Sequence, residues 1–188
     1  MKRIETELAG IILLEPRVFG DERGYFFECY RQDRFAELGI HGTFVQDNQS
    51  RSLRGVLRGL HYQLGRPQAK LVRALSGEIF DVAVDVRRGS PTFGRWVGER
   101  LSEDNRRMMY VPEGFAHGFL VLSESAEIHY KCTDLYAPKE ERGILWSDPG
   151  VSVAWPIPQG VDLVLSSKDT AYPTLATVPA LDLPEYRA

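Results

Sequence analysis

Residues 126–133, "AEIHYKCT", alternate Ala126, Ile128, Tyr130 and Cys132 against Glu127, His129, Lys131 and Thr133. A period of two over eight residues is the mark of a strand with one face turned to a core. Upstream, "FDVAVDVR" (80–87) sets Phe80, Val82, Val84 and Val86 against Asp81, Ala83, Asp85 and Arg87 in the same rhythm. Turn-forming clusters interrupt the chain between such runs: "SG" at 76, "RGSP" at 88, "SEDN" at 102, "PEG" at 112 and "SES" at 123. Helical periodicity is scarce. The best candidate is "RQDRFAELG" (31–39), with Phe35 and Leu38 on one side and Gly39 placed to end it. Many short strands without helices to cross parallel connections imply an antiparallel, all-β sandwich or barrel.

The 188 residues suffice for one compact domain over the whole chain, 1–188. No internal repeat or linker divides it. The proline-rich stretch from about Val151 ("VAWPIPQG", "YPTLATVPALDLP") reads as irregular chain laid over the outside of the barrel, or over a partner's. A net charge of −3, with interspersed signs, speaks against a nucleic-acid surface, so any phosphate bound should belong to a small molecule. The opening "MKRIETELAGIILLEP" holds too short an apolar run for a signal core or a membrane span. Cys29 and Cys132 are the only cysteines and lie far apart, so neither a disulfide framework nor a structural zinc site is expected. The expectation is a cytoplasmic protein with no membrane partner.

Four histidines can be weighed. His41, in "GIHGTF", reads as a solvated loop residue, and His129 lies on the polar face of its strand. His61 and His117 sit in apolar, strand-like runs, "VLRGLHYQ" and "GFAHGFLVL". A histidine so placed serves structure more often than catalysis, but Arg58, Gln63, Lys70 and Arg73 crowd the sequence around His61. A cation beside an apolar interior calls for an anionic or developing-anionic partner, unless it snorkels to the rim. Tyr130 should point inward, its hydroxyl in need of a partner. A base, a phenol and an ammonium group in one cavity would suit proton removal beside a carbonyl. One difficulty stands against a shared site: Arg58 and His61 are three residues apart and face opposite ways in a regular strand. A bulge at Gly59 would re-aim one of them.

Longer strings carry a resemblance. "FGDERGYFFECY", "FVQDNQSRS", "GVLRGLHYQ", "QAKLVRALSGEIFDVAVDVRRGSPTFGRWVGERLSEDN", "YVPEGFAHGFLVLSESAEIHYKCTDLY" and "ERGILWSDP" together closely resemble the dTDP-4-dehydrorhamnose 3,5-epimerase family, over roughly residues 3–175. The resemblance implies a cupin fold, a double-stranded β-helix or jelly roll with a few short helices. It further implies a homodimer whose N-terminal segment reaches into the partner's site. The implied substrate is dTDP-4-dehydro-6-deoxy-D-glucose, inverted at C3 and C5 with neither metal nor organic cofactor. Residue by residue, it makes His61 the base, Asp169 the carboxylate that orients it, Tyr130 the acid on the opposite face and Lys70 the cation beside the enolate oxygen. Substrate binding would fall to Arg23, Glu28, Gln46, Asn48, Arg58, Lys70, His117, Glu141 and Lys168, with Phe19 and Phe26 placed for thymine contact or for packing.

Three rivals share parts of this pattern. A monofunctional C3- or C5-epimerase of another dTDP-deoxysugar pathway would keep the His, Asp and Tyr set. A metal-dependent cupin would carry a His-x-His pair, whereas His61 is followed by Tyr62 and Gln63, and His117 by Gly118 and Phe119. A non-catalytic nucleotide-sugar binder would have no need of the whole proton-transfer set.

Overall fold

The computed structural model describes residues 1–186; the last two positions of the 1–188 expectation lie outside the described residues. Two antiparallel sheets face each other. The first has six strands: β1 (Lys2–Glu5), β2 (Ile12–Glu15), β5 (Gln46–Leu53), β7 (Lys70–Ser76), β10 (Met108–Val111) and β12 (Ser125–Cys132), in the order β1-β2-β10-β7-β12-β5. The second has five: β6 (Leu57–Gln63), β8 (Glu78–Asp85), β9 (Trp96–Ser102), β11 (Phe115–Val121) and β13 (Glu141–Gly143), in the order β13-β6-β11-β8-β9. A separate hairpin, β3 (Phe19–Asp21) and β4 (Gly24–Phe26), stands apart from both. The chain thus alternates between sheets as it winds, the jelly-roll arrangement of a cupin.

The alternation in residues 126–133 is realised as read. Ala126 and Ile128 are fully buried between the sheets with Leu13, Val72 and Met109 of the first and Ile79, Ala83, Phe119 and Val121 of the second, and Tyr130 packs against this cluster. Each of the larger of these side chains, Val, Leu, Ile, Phe or Met, contributes roughly 1.5–3 kcal/mol by leaving water. In β8 the faces divide differently from a simple polar-out pattern. Asp81 and Ala83 face the barrel interior, while Val82 and Val84 point outward into a second apolar layer. Val151, Leu175 and Leu183 of the C-terminal segment cover that layer, so the proline-rich stretch lies across this chain's own barrel. Tyr62 donates from its hydroxyl to the Asp182 carbonyl at 2.8 Å and helps to fasten it.

The outer face of the six-stranded sheet is covered too. Ile12, Leu14, Leu71 and Met108 pack beneath Phe35 and Ile40. Phe35 belongs to α1 (Gln32–Glu37), which forms inside the stretch expected to be helical and ends before Gly39 at φ +91°. Short 3-10 turns at Pro138–Glu140 and Ala180–Asp182 complete the helical content among the described residues. The turn after β8 is organised by fully buried Asp85. It accepts from Arg87 Nη2 at 2.7 Å, Ser90 Oγ at 2.5 Å and Thr92 Oγ1 at 2.6 Å. Burial alone would raise the Asp85 pKa, but these donors outweigh it and hold the carboxyl below the usual range.

Candidate active site

The apolar core fills one end of the barrel. The other end, where β5 and β7 begin and β6 and β12 finish, opens into a polar cavity of about 240 Å³. Its walls include Gln46, Asn48, Lys70 and Tyr130 from the six-stranded sheet and His61, Gln63 and Glu141 from the five-stranded one. Gln68 and Tyr136 close the rim.

Strand β6 carries the bulge that the Arg58 and His61 spacing required. His61 sits opposite His117 and Arg58 opposite Phe119, so three steps on β6 span two on β11. Both side chains therefore lie on the face turned toward the first sheet, His61 half-buried in the cavity and Arg58 exposed at its open edge. Gly59 has φ +134°, and a Cβ there would lie 2.6 Å from Gly118 Cα, so glycine is required on both strands for the close approach. Arg58 Nε donates to Ser52 Oγ at 3.2 Å across the gap between the sheets.

His61 and Asp169, 108 residues apart, meet at 2.5 Å between Nε2 and Oδ1. Asp169 is 2% exposed, and Ser166 Oγ donates to its other oxygen at 2.8 Å. Burial pushes its pKa up, but the imidazole and Ser166 prevail and hold it below the ordinary value. An ionised carboxylate only accepts, so Nε2 carries the hydrogen and Nδ1 keeps the free lone pair. A buried carboxylate in this position fixes the tautomer and the orientation of the imidazole it meets.

Tyr130 stands on the facing sheet, level with Asn48 and Val72. Burial raises its pKa, so it remains a neutral phenol able to donate. Lys70, level with Cys132, is pushed in the opposite sense: burial lowers its pKa, with Cys132, Asp81 and Glu141 opposing. His117 lies deeper, its Nε2 2.8 Å from Asp81 Oδ1, while Asp81 Oδ2 has no hydrogen-bond partner among the described residues. At the rim, Glu141 accepts from Tyr136 Oη at 2.7 Å, from Tyr172 Oη at 2.9 Å and from Lys168 Nζ. Burial opposes ionisation, yet these donors take its pKa down to about 2. Gln46 Nε2 donates to Asn48 Oδ1 at 3.0 Å.

The structure thus brings together His61, Asp169, Tyr130, Lys70, Arg58, Gln46, Asn48, His117, Glu141 and Lys168. It does not bring Arg23 or Glu28 to this cavity within one chain. Arg23 caps the exposed β3–β4 turn and pairs with Asp21, and Glu28 pairs with Arg34 at 3.2 Å. Arg73 also turns away, pairing opposite His129 on the outer face and donating to Cys29 Sγ at 2.8 Å. Asp81, Gln68, Tyr136, Ser166 and Tyr172 were not singled out from sequence. For Asp81 the alternation gave no pointer, because both faces of β8 are buried. Tyr136, Ser166 and Tyr172 lie in irregular segments where no periodicity points inward.

The family model for dTDP-4-dehydrorhamnose 3,5-epimerase matches residues 5–177. The chain belongs to the dTDP-4-dehydrorhamnose 3,5-epimerase family. A family member from Pseudomonas aeruginosa is 60% identical over 170 residues, covering 90% of this chain and 93% of that one. The crystal structure of the Legionella pneumophila dTDP-6-deoxy-D-glucose-3,5-epimerase, in complex with dTDP-4-keto-L-rhamnose, superposes with a TM-score of 0.96 at 50% identity, covering 100% of this chain and 99% of the other. ChmJ, a 3'-monoepimerase from Streptomyces bikiniensis seen in complex with dTDP-quinovose, is similar with a TM-score of 0.89 at 36% identity, covering 96% of this chain and 92% of that one. A 3,5-epimerase and a 3'-monoepimerase thus both superpose on the barrel described here.

Proposed function

We propose that this chain is a dTDP-4-dehydrorhamnose 3,5-epimerase, inverting C3 and C5 of dTDP-4-dehydro-6-deoxy-D-glucose to give dTDP-4-dehydro-L-rhamnose. One observation carries the reading: the imidazole of His61 and the phenol of Tyr130 belong to opposite sheets and face each other across one cavity. A sugar ring between them presents one face to a base and the other to an acid.

The chemistry follows from the groups. His61 Nδ1 takes the proton from the carbon beside the C4 ketone, and the imidazolium is stabilised by Asp169 through Nε2. The electron pair moves into an enolate whose oxygen is met by the Lys70 ammonium, which acts as charge develops. Tyr130 then gives its proton to the same carbon from the far side, which inverts it, and solvent exchange returns both groups to their starting states. The cycle uses no cofactor. The cavity is smaller than the roughly 300–1,000 Å³ that encloses a whole drug-sized ligand, so the sugar enters and the nucleotide lies over the rim. There Arg58 pairs with diphosphate oxygens, Gln46, Asn48, Glu141 and Lys168 position the rest, and His117 meets the substrate from deeper in the barrel. Arg23 and Glu28 serve the neighbouring subunit of a homodimer.

Proton NMR of the protein with dTDP-4-dehydro-6-deoxyglucose in heavy water tests the reading. Deuterium entering at both C3 and C5, with dTDP-L-rhamnose formed once a 4-keto reductase is added, is the expected result. Exchange and inversion at one carbon would make it a monofunctional epimerase, and binding with no exchange would make it a binding protein.

A further inference from the structure

The turn between Ser166 and Pro173 sends three side chains to two residues of the five-stranded sheet. Asp169 meets His61, Lys168 meets Glu141, and Tyr172 touches both. The Tyr172 ring meets the His61 imidazole edge-on, with centroids 5.5 Å apart and planes at 60°, while its hydroxyl donates to Glu141 Oε1 at 2.9 Å. Two features hold the ring there. Leu145 N donates to the Pro173 carbonyl at 2.8 Å and pins the chain one residue on. Gly143, paired with His61 across β13 and β6, leaves room that a side chain would fill, since a Cβ there would come within 2.7 Å of two Tyr172 ring carbons.

We propose that Tyr172 is the positioning residue for the base, its ring fixing the plane of the His61 imidazole and its hydroxyl tying that plane to Glu141. The inference rests on the epimerase reading, in which His61 Nδ1 must aim at a carbon-bound proton. A single hydrogen bond from Nε2 to Asp169 fixes one end of the ring and leaves it free to turn about that axis. An edge-to-face aromatic neighbour resists that turn. The aim matters because a misplacement of about 1 Å costs on the order of a hundredfold in rate. Burial and the Glu141 carboxylate both raise the Tyr172 pKa, so the phenol keeps its donor hydrogen.

The test compares Tyr172→Phe and Tyr172→Leu with the wild type in the heavy-water assay. Loss of the ring in Tyr172→Leu should lower kcat about 10- to 100-fold, with KM changed by no more than about threefold. Tyr172→Phe should keep kcat to within about threefold of wild type and show the same small change in KM as Tyr172→Leu, because both lose the bond to Glu141 and only Tyr172→Leu loses the ring. A Tyr172→Leu protein as fast as wild type, or a Tyr172→Phe protein as slow as Tyr172→Leu, would overturn the assignment. A merely structural anchor would lower folded yield without separating kcat from KM. Should Tyr172→Leu fail to fold, the carbon-bound imidazole protons of His61 decide: a ring-current displacement from the free-histidine position must appear in wild type and persist in Tyr172→Phe, and its absence sinks the contact. That spectrum needs no turnover. A wild type that leaves the substrate untouched would therefore refute the epimerase reading without touching the Tyr172 contact.

Discussion

At the scale of single residues, His61 is useful because Asp169 settles which nitrogen is free. Asp169→Asn removes the charge and offers an amide N–H that can donate to Nε2, which would put the hydrogen on Nδ1 and disarm the base. The expected loss in kcat is about 10²–10⁴-fold, with dTDP affinity by calorimetry unchanged; a loss under about tenfold would mean that Asp169 does not set the tautomer. A second prediction concerns pH. Burial moves Lys70 and Tyr130 in opposite directions, lowering the lysine and raising the tyrosine. The burial-destabilised Lys70 ammonium is expected to set the alkaline limb of kcat/KM, since the Tyr130 phenol is displaced away from neutrality. That limb should fall below the ordinary lysine value of about 10.4. Lys70→Arg, whose guanidinium stays charged, should retain activity at a pH where the wild type has already declined. An identical alkaline limb in that variant would assign the titration to another group.

At the scale of elements, the bulge in β6 decides whether Arg58 and His61 can share a site. Gly59→Ala would place a methyl at φ +134° and against Gly118 Cα. It should destabilise the fold by about 1–3 kcal/mol or more, read from the urea midpoint, and lower activity in the fraction that remains folded. Full activity and an unchanged midpoint would mean that the bulge can be accommodated without glycine. This strand also marks how far sequence reasoning reaches. The odd spacing of Arg58 and His61 around a glycine made the bulge legible, and the strict alternation in β12 made Tyr130's direction legible, because only one of its faces meets the barrel core. In β8 the same alternation did not show that the face bearing Asp81 lines the barrel, because both faces of that strand are buried, one beneath the C-terminal segment. The short helix was readable from Phe35, Leu38 and Gly39. Strand order was not, since pairing across a jelly roll joins residues far apart in sequence. Asp169 shows the limit most plainly: it lies in a turn with no periodicity, 108 residues from His61, and only resemblance to a known family pointed to it.

At the scale of the whole molecule, the unanswered geometry is that of the N-terminal hairpin. Among the described residues β3 and β4 pair only with each other, and they expose Phe19, Tyr25 and Phe26 to 52%, 62% and 70%. Phe19 and Phe26 sit opposite each other in register and form an apolar patch that a second subunit would cover, while Tyr25 lies on the other face beneath Arg106. Arg23 projects from the same hairpin, outside the lining of this chain's cavity, and among the described residues it pairs only with its neighbour Asp21. If the hairpin completes the partner's site in a two-fold dimer, His61 and Arg23 of one chain serve different sites. His61→Ala and Arg23→Ala proteins should then each be impaired alone. After unfolding and refolding together in equal amounts, half the dimers are mixed, and each mixed dimer has one site with both defects and one with neither. Activity should recover to about a quarter of wild type, a level set by symmetry and not by either variant. Mixing without refolding should leave activity low, provided subunits exchange slowly. If the refolded mixture shows only the mean of its two parents, Arg23 acts within its own chain or not at all, and the hairpin's aromatic patch requires another partner.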